Sequence, residues 1–197
     1  MYDILQQLEQ IKDIESKRLA IIIRHGERPE ISDGVLGDNV LLTERGKAEA
    51  VEFGKLLAPY EISKIFTSPW QRCIQTAECI RQGLGSNIEI EQDKYLVSWH
   101  VIDSKKSRKS FDDYKVFGIF EKFVQNEEIP GMASQELLRT KTMQWLNQHT
   151  SKRTLFVTHD ALIAHFAFAN NIHTYSKEHW VNFLDGVIVD FSESPLE

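Results

Sequence analysis

The sequence predicts an α/β fold, a three-layer αβα sandwich around a mainly parallel sheet, and two observations carry that expectation. The runs Leu19 to Ile23 and Leu155 to Val157 are apolar and uninterrupted. They are too short for buried helices, so they fit strands covered on both faces. Around them lie segments whose apolar residues recur at helical spacing. Such alternation of strand and helix calls for parallel strands joined by right-handed crossovers. At 197 residues the chain is expected to form one domain over 1–197, with a small variable region around 93–130.

Taken in order, Ile4, Leu8, Ile11 and Ile14 predict an amphipathic helix packed outside the sheet. Leu19 to Ile23 follows as the first strand and breaks into Arg24-His25-Gly26-Glu27-Arg28-Pro29. Residues 30 to 40, with Asp33, Gly34, Gly37, Asp38 and Asn39, have a loop composition suited to the wall of a site. Thr43 is a candidate N-cap for a helix whose apolar face would hold Ala48, Val51, Phe53, Leu56 and Leu57, ending at Pro59. Ser63 to Thr67 reads as a second strand. Ser68-Pro69-Trp70-Gln71-Arg72 follows, with Pro69 placed for the first helical turn and Arg72 one turn in.

The stretch Leu84 to Val101 has an irregular strand pattern. Asp103 to Lys115, with Lys105, Lys106, Arg108 and Lys109, reads as a solvated loop or as a cap adding cationic reach to a crevice. Tyr114 to Val124, with Phe117, Phe120 and Phe123, reads as a helix whose aromatic stripe faces the core, and Ser134 to His149 as a clearer helix. The strand from Thr154 ends in His159-Asp160 before an apolar helix, Ala161 to Ala169, and Val187 to Phe191 is the last strand.

In open α/β sheets reactive groups collect beyond the carboxyl ends of the strands, so three strand ends offer Arg24, His25, Arg28, Arg72, His159 and Asp160 to one crevice. Guanidinium forks match phosphate oxygens, and a neutral imidazole among them can attack phosphorus. Phosphoryl transfer through a phosphohistidine is the chemistry this set suggests. The net charge of −6 argues against nucleic acid or anionic membrane as partners, so the positive charge of an anion site must be local. Residues 1–17 mix apolar with charged residues and carry neither a leader's apolar core nor a membrane span, so a cytoplasmic location is expected. Cys73 and Cys79 lie six residues apart in one helix, on different faces, and are expected to be packing thiols. His100, His149, His165, His173 and His179 share no spacing and are expected at the surface or packed, with His100 and His179 as candidates to line the crevice.

Four segments in order, Arg24-His25-Gly26-Glu27-Arg28, Leu42-Thr43-Glu44-Arg45-Gly46, Thr67-Ser68-Pro69 to Arg72 with Gln75-Thr76-Ala77, and Val157-Thr158-His159-Asp160, resemble the histidine phosphatase superfamily, of phosphoglycerate mutase-like fold. The resemblance implies His25 as the phosphorylated nucleophile, with Arg24, Arg28, Arg72 and His159 holding phosphate and His159 also serving catalysis. No metal and no cofactor would be needed, and the partner would be a small phosphorylated substrate. Cationic donors aimed at the equatorial oxygens stabilise the transition state. Gly26 would let the backbone turn closely beside the nucleophile, and its carbonyl could fix the imidazole tautomer. One branch takes its general acid from an aspartate after the second histidine, which here is Asp160. The rival is a carboxylate of the variable region, Glu91, Asp93 or Asp103. Pro29 directly after Arg28 departs from the aspartate branch. The alternatives to hydrolysis are a phosphomutase and a phosphate-binding or regulatory module without turnover. A metal-dependent His-Asp phosphohydrolase ranks lower, since no second His/Asp cluster has ligand spacing.

Overall fold

The computed structural model describes residues 2–31 and 37–192. Asp33 and Gly34 of the predicted site wall lie outside them. Five strands, β1 (Leu19–Arg24), β2 (Lys64–Thr67), β3 (Ile90–Gln92), β4 (Arg153–Thr158) and β5 (Gly186–Asp190), form one sheet in the order β3-β2-β4-β1-β5. The pairs β1–β4, β2–β4 and β2–β3 are parallel, and β5 returns antiparallel on β1. The sheet is therefore mainly parallel, as the alternation of elements requires.

Alternating residues of β1 feed two cores. Ala20 and Ile22 join Phe156, Phe66 and the apolar faces of α5 (Ser104–Val124), α6 (Gln135–His149) and α7 (Asp160–Ala169). Leu19, Ile21 and Ile23 join α1 (Asp3–Gln10), α2 (Glu44–Leu57) and α3 (Gln71–Leu84) on the opposite face. Helices thus cover both faces, and the runs Leu19 to Ile23 of β1 and Leu155 to Val157 of β4 are apolar because neither face meets water. No described helix is long and apolar enough to cross a membrane.

Several local expectations change. The first helix stops at Gln10, and Ile14 begins a separate 3-10 turn, Ile14–Ser16. Thr43 does cap α2, its hydroxyl accepting from the Gly46 amide at 2.9 Å. The buried face of α2, however, is Ala50, Phe53, Gly54 and Leu57, while Ala48 and Leu56 are exposed. The reason is close packing on α3: a Cβ at Gly54 would fall 2.3 Å from the Ile80 carbonyl. The 84–101 stretch contributes only β3 as strand. Asp93 accepts from the Tyr95 amide at 2.7 Å and starts a short helix, α4 (Tyr95–Ser98). The charge run from 103 to 115 is helical rather than a loop. Asp103 caps it by accepting from the amides of Lys105 and Lys106, which leaves the lysines on its solvated side. Lys115 interrupts α5 with φ 57° and divides this basic half from the half carrying Phe120 and Phe123.

Under α5, two histidines meet in an aromatic core. The rings of His100 and His165 lie 5.1 Å apart, among Phe111, Phe120 and Phe123. His165 Nδ1 donates to the Ala161 carbonyl at 2.7 Å, while His165 Nε2 and both ring nitrogens of His100 have no partner among the described residues. Burial pushes His100 well below the usual histidine range and His165 down to about 4. Both rings are therefore neutral in the folded protein at neutral pH and take up protons more readily once unfolded. A depressed folded pKa gives stability that is present above the unfolded value and lost as pH falls toward the folded one. For His165, with an unfolded value of ~6.5, that loss runs from about pH 6.5 down to about 4 and amounts to roughly 3 kcal/mol. The expected result is a thermal midpoint that falls across this interval and falls less steeply in His165→Leu. Parallel melting curves for the two proteins would contradict it.

Candidate active site

β1 and β4 end side by side, Arg24 opposite Thr158, and the chain beyond each strand carries a histidine. The His25 amide donates to the Thr158 carbonyl at 3.0 Å, so the ladder continues one residue past β1 and fixes the His25 backbone. The next amide, that of Gly26, donates to the Thr76 hydroxyl at 2.9 Å, and that hydroxyl donates to the Arg72 carbonyl at 2.6 Å. The start of α3 is thereby tied to the loop after β1. Gly26 sits where a Cβ would approach the Gly46 carbonyl to 3.2 Å, so its role is close approach to α2 rather than an unusual turn.

The His25 side chain is 2% exposed. Its Nδ1 lies 2.8 Å from the Gly26 carbonyl, which requires the proton on Nδ1 and leaves the lone pair on Nε2. Arg72 Nε donates to that Nε2 at 2.9 Å. Burial above all, then the neighbouring His159 and Arg72, hold His25 well below the usual histidine range, so the ring is neutral. The tautomer suits a nucleophile.

Arg72, the second residue of α3, spends its other nitrogens on the Gly37 carbonyl at 2.5 Å and on His159 Nδ1 at 3.2 Å. With Nδ1 accepting, His159 carries its proton on Nε2 and donates to the Ser68 hydroxyl at 3.0 Å. Burial, followed by Arg72 and Arg24, likewise holds His159 neutral. Burial lowers Arg72 to about 10, which leaves it cationic at neutral pH. Arg24 donates to the Val181 carbonyl at 2.6 Å and pairs with Asp160 at 3.0 Å. Arg28 donates to the Pro29 carbonyl at 2.7 Å, and its charge bears on Arg24, Arg72 and His159. The Nε atoms of Arg24 and Arg28 are buried with no partner among the described residues. Three guanidiniums around two neutral imidazoles make a pocket complementary to an oxyanion.

Asp160 opens α7, and its second carboxylate oxygen accepts from the Ala161 amide at 2.8 Å. The other carboxylates considered from the sequence are held elsewhere. Glu91 pairs with Lys64 at 2.7 Å, Asp93 accepts from the Tyr95 amide and Asp103 caps α5. The fold thus brings Arg24, His25, Arg28, Arg72, His159 and Asp160 into one charged network. His100 is packed in the core, and His179 lies along an open groove of about 450 Å³ between α1 and the segment before β5. Among the described residues no group of three or more His, Cys, Asp and Glu side chains could hold a metal ion.

Cys73 is buried, its Sγ 3.8 Å from His159 Nε2, and burial pushes its thiol up to about 12, so it packs rather than reacts. Two aromatic residues complete the surroundings. Trp70 lies against His159 and Arg72, and Phe183 against His25 and Arg24. Nothing in the local pattern of residues 170–185 singles out Phe183. Trp70 stands two residues before Arg72 in the segment that follows β2.

Comparison with known proteins places this geometry. The family model of the histidine phosphatase superfamily (branch 1) matches residues 20–183. The 2,3-bisphosphoglycerate-dependent phosphoglycerate mutase of Thermoplasma acidophilum is 31% identical over 78 residues, 38% of this chain and 39% of the mutase. The chain matches less than half the length of the curated relatives it resembles. Among solved structures, Bacillus stearothermophilus YhfR is 23% identical with a TM-score of 0.57, covering 85% of this chain and 87% of that one. A phosphoglycerate mutase from Bacillus anthracis is 18% identical, also with a TM-score of 0.57, covering 91% and 89%. These two likenesses concern the fold.

Proposed function

The chain belongs to the histidine phosphatase superfamily, and from that premise we propose that it hydrolyses small phosphomonoesters through a phosphohistidine on His25. The observation that carries this reading is the imidazole itself: neutral, with its proton held on Nδ1 by the Gly26 carbonyl and its Nε2 lone pair directed at Arg72, with Arg24 also bearing on the ring. Arg24, Arg28, Arg72 and His159 would hold the phosphoryl oxygens, the arginines with the buried Nε donors of Arg24 and Arg28 among their free valences. In the first step the Nε2–P bond forms as the bond from phosphorus to the leaving oxygen breaks, and that oxygen takes the proton of Asp160. In the second, water gives a proton back to Asp160 and attacks phosphorus, releasing phosphate and restoring His25.

Asp160 is our choice of acid because it alone among the candidate carboxylates pairs with a guanidinium of the pocket. The guanidinium of Arg24 that holds it is one the phosphoryl oxygens would engage, so substrate binding would free the carboxyl to face the leaving oxygen. We further assign residues 1–197 to one domain with a small variable cap region around 93–130, and place the protein in the cytoplasm. The identity shared with a curated phosphoglycerate mutase supports a second reading, transfer of the phosphoryl group to another hydroxyl instead of water.

A panel of phosphomonoesters assayed for orthophosphate release in the presence of a chelator tests the proposal. Release is expected to persist at the unchelated rate. Loss on chelation with recovery on adding a divalent ion would overturn it, as would phosphate appearing on an acceptor hydroxyl with none released to water.

A further inference from the structure

Both inner arginines of the pocket lie against aromatic rings, and the rings come from opposite sides of the site. The guanidinium carbon of Arg72 is 4.5 Å from the ring centre of Trp70, and that of Arg24 is 4.1 Å from the ring centre of Phe183. Trp70 follows β2 and Phe183 precedes β5. In the sheet order β2-β4-β1-β5 these strands flank the pair that carries the two histidines. Each ring also touches an imidazole, Trp70 at 4.7 Å from His159 and Phe183 at 5.8 Å from His25. Both are half-buried.

A guanidinium has a flat face without hydrogen-bond donors and an edge that carries all five. Arg72 spends its edge on His25, the Gly37 carbonyl and His159, and Arg24 spends its edge on Val181 and Asp160 while its Nε stays unpartnered. In both, the guanidinium carbon lies over the ring, while the donors named above go to other groups. A ring in that position can hold a cation in place without accepting any of its hydrogen bonds. An aliphatic side chain could fill the same volume, but it would neither compensate the desolvated charge nor hold the plane.

We infer that Trp70 and Phe183 are positioning residues that hold the guanidinium planes of Arg72 and Arg24 edge-on to the bound phosphoryl group. This rests on the proposed reading that the pocket binds a phosphoryl oxyanion. Calorimetric titration with inorganic phosphate tests it without requiring turnover, on wild type, Trp70→Leu, Trp70→Phe, Phe183→Leu and Phe183→Tyr. Each leucine variant is expected to weaken phosphate binding about tenfold, while Trp70→Phe and Phe183→Tyr stay within about threefold of wild type. A purely packing role would lower the thermal midpoint of the leucine variants and leave their phosphate affinity unchanged, which would overturn the inference. So would equal weakening by the ring-retaining and ring-removing substitutions. The two sites lie in different segments, so a variant that fails to fold at one leaves the other to decide. Wild type that binds no phosphate would refute the functional reading together with this one, whereas binding by wild type with unaltered leucine variants would refute this one alone.

Discussion

His25→Ala is expected to abolish phosphomonoester hydrolysis, with kcat falling on the order of 10⁴-fold or more, because the proposed reaction has no other group to accept the phosphoryl. The substitution removes a buried ring and leaves Arg72 Nε without its 2.9 Å acceptor, but the backbone contacts that build the loop, His25 amide to Thr158 and Gly26 amide to Thr76, do not involve the ring. The variant should therefore fold and still bind phosphate, and calorimetry with phosphate can confirm that the pocket survives. Rapid quenching of the wild type during turnover should trap one phosphoryl group per chain, labile in acid as a P–N bond is, and mapping to His25. A variant that retains a tenth of the activity, or a trapped phosphoryl on another residue, would remove the nucleophile from the proposal.

That His25 could be singled out from the sequence follows from where it lies. β1 and β4 are buried on both faces, so they carry the apolar runs Leu19 to Ile23 and Leu155 to Val157, and the charged residues Arg24-His25 and His159-Asp160 follow close on their ends. Arg72 was legible for a related reason, since β2 ends at Thr67 and a helix follows, although α3 begins only at Gln71, so Pro69 precedes it and Arg72 is its second residue rather than one turn in. The aromatic half of α5, Tyr114 to Val124, was legible too, but its basic half was not, because the residues that half buries are Ser107 and Ser110, which leave no apolar periodicity to read. The inner face of α2 was legible only in Phe53 and Leu57: glycine and alanine occupy the close contact with α3, and Leu56 points outward. Phe183 enters the site only because β5 returns antiparallel beside β1, a long-range pairing that no local pattern encodes. The networks that fix the two tautomers depend on the Gly26 carbonyl and the Arg72 guanidinium, whose directions are set by the assembled strand ends.

Asp160→Asn, read on two leaving groups, separates proton donation from the other things Asp160 does. Asparagine keeps one oxygen, which can accept from the Ala161 amide and hold the start of α7, but it puts an NH2 donor where the second carboxylate oxygen meets Arg24. It therefore removes both the ion pair, whose loss weighs on every substrate alike, and the transferable proton, whose loss depends on the leaving group. A leaving group that is already stable as an anion, such as p-nitrophenolate, needs that proton little, whereas an alkoxide needs it in full. Hydrolysis of an alkyl phosphate is therefore expected to slow by about 10²- to 10³-fold and that of p-nitrophenyl phosphate by less than about tenfold, the range general acid catalysis supplies. The matching variants of the rival carboxylates, Glu91→Gln, Asp93→Asn and Asp103→Asn, should show no dependence on the leaving group, since each is engaged by Lys64 or by helix amides. Equal losses on both substrates in Asp160→Asn would mean that Asp160 serves only to orient Arg24, and a leaving-group dependence appearing instead at Asp93 would move the acid to the end of β3.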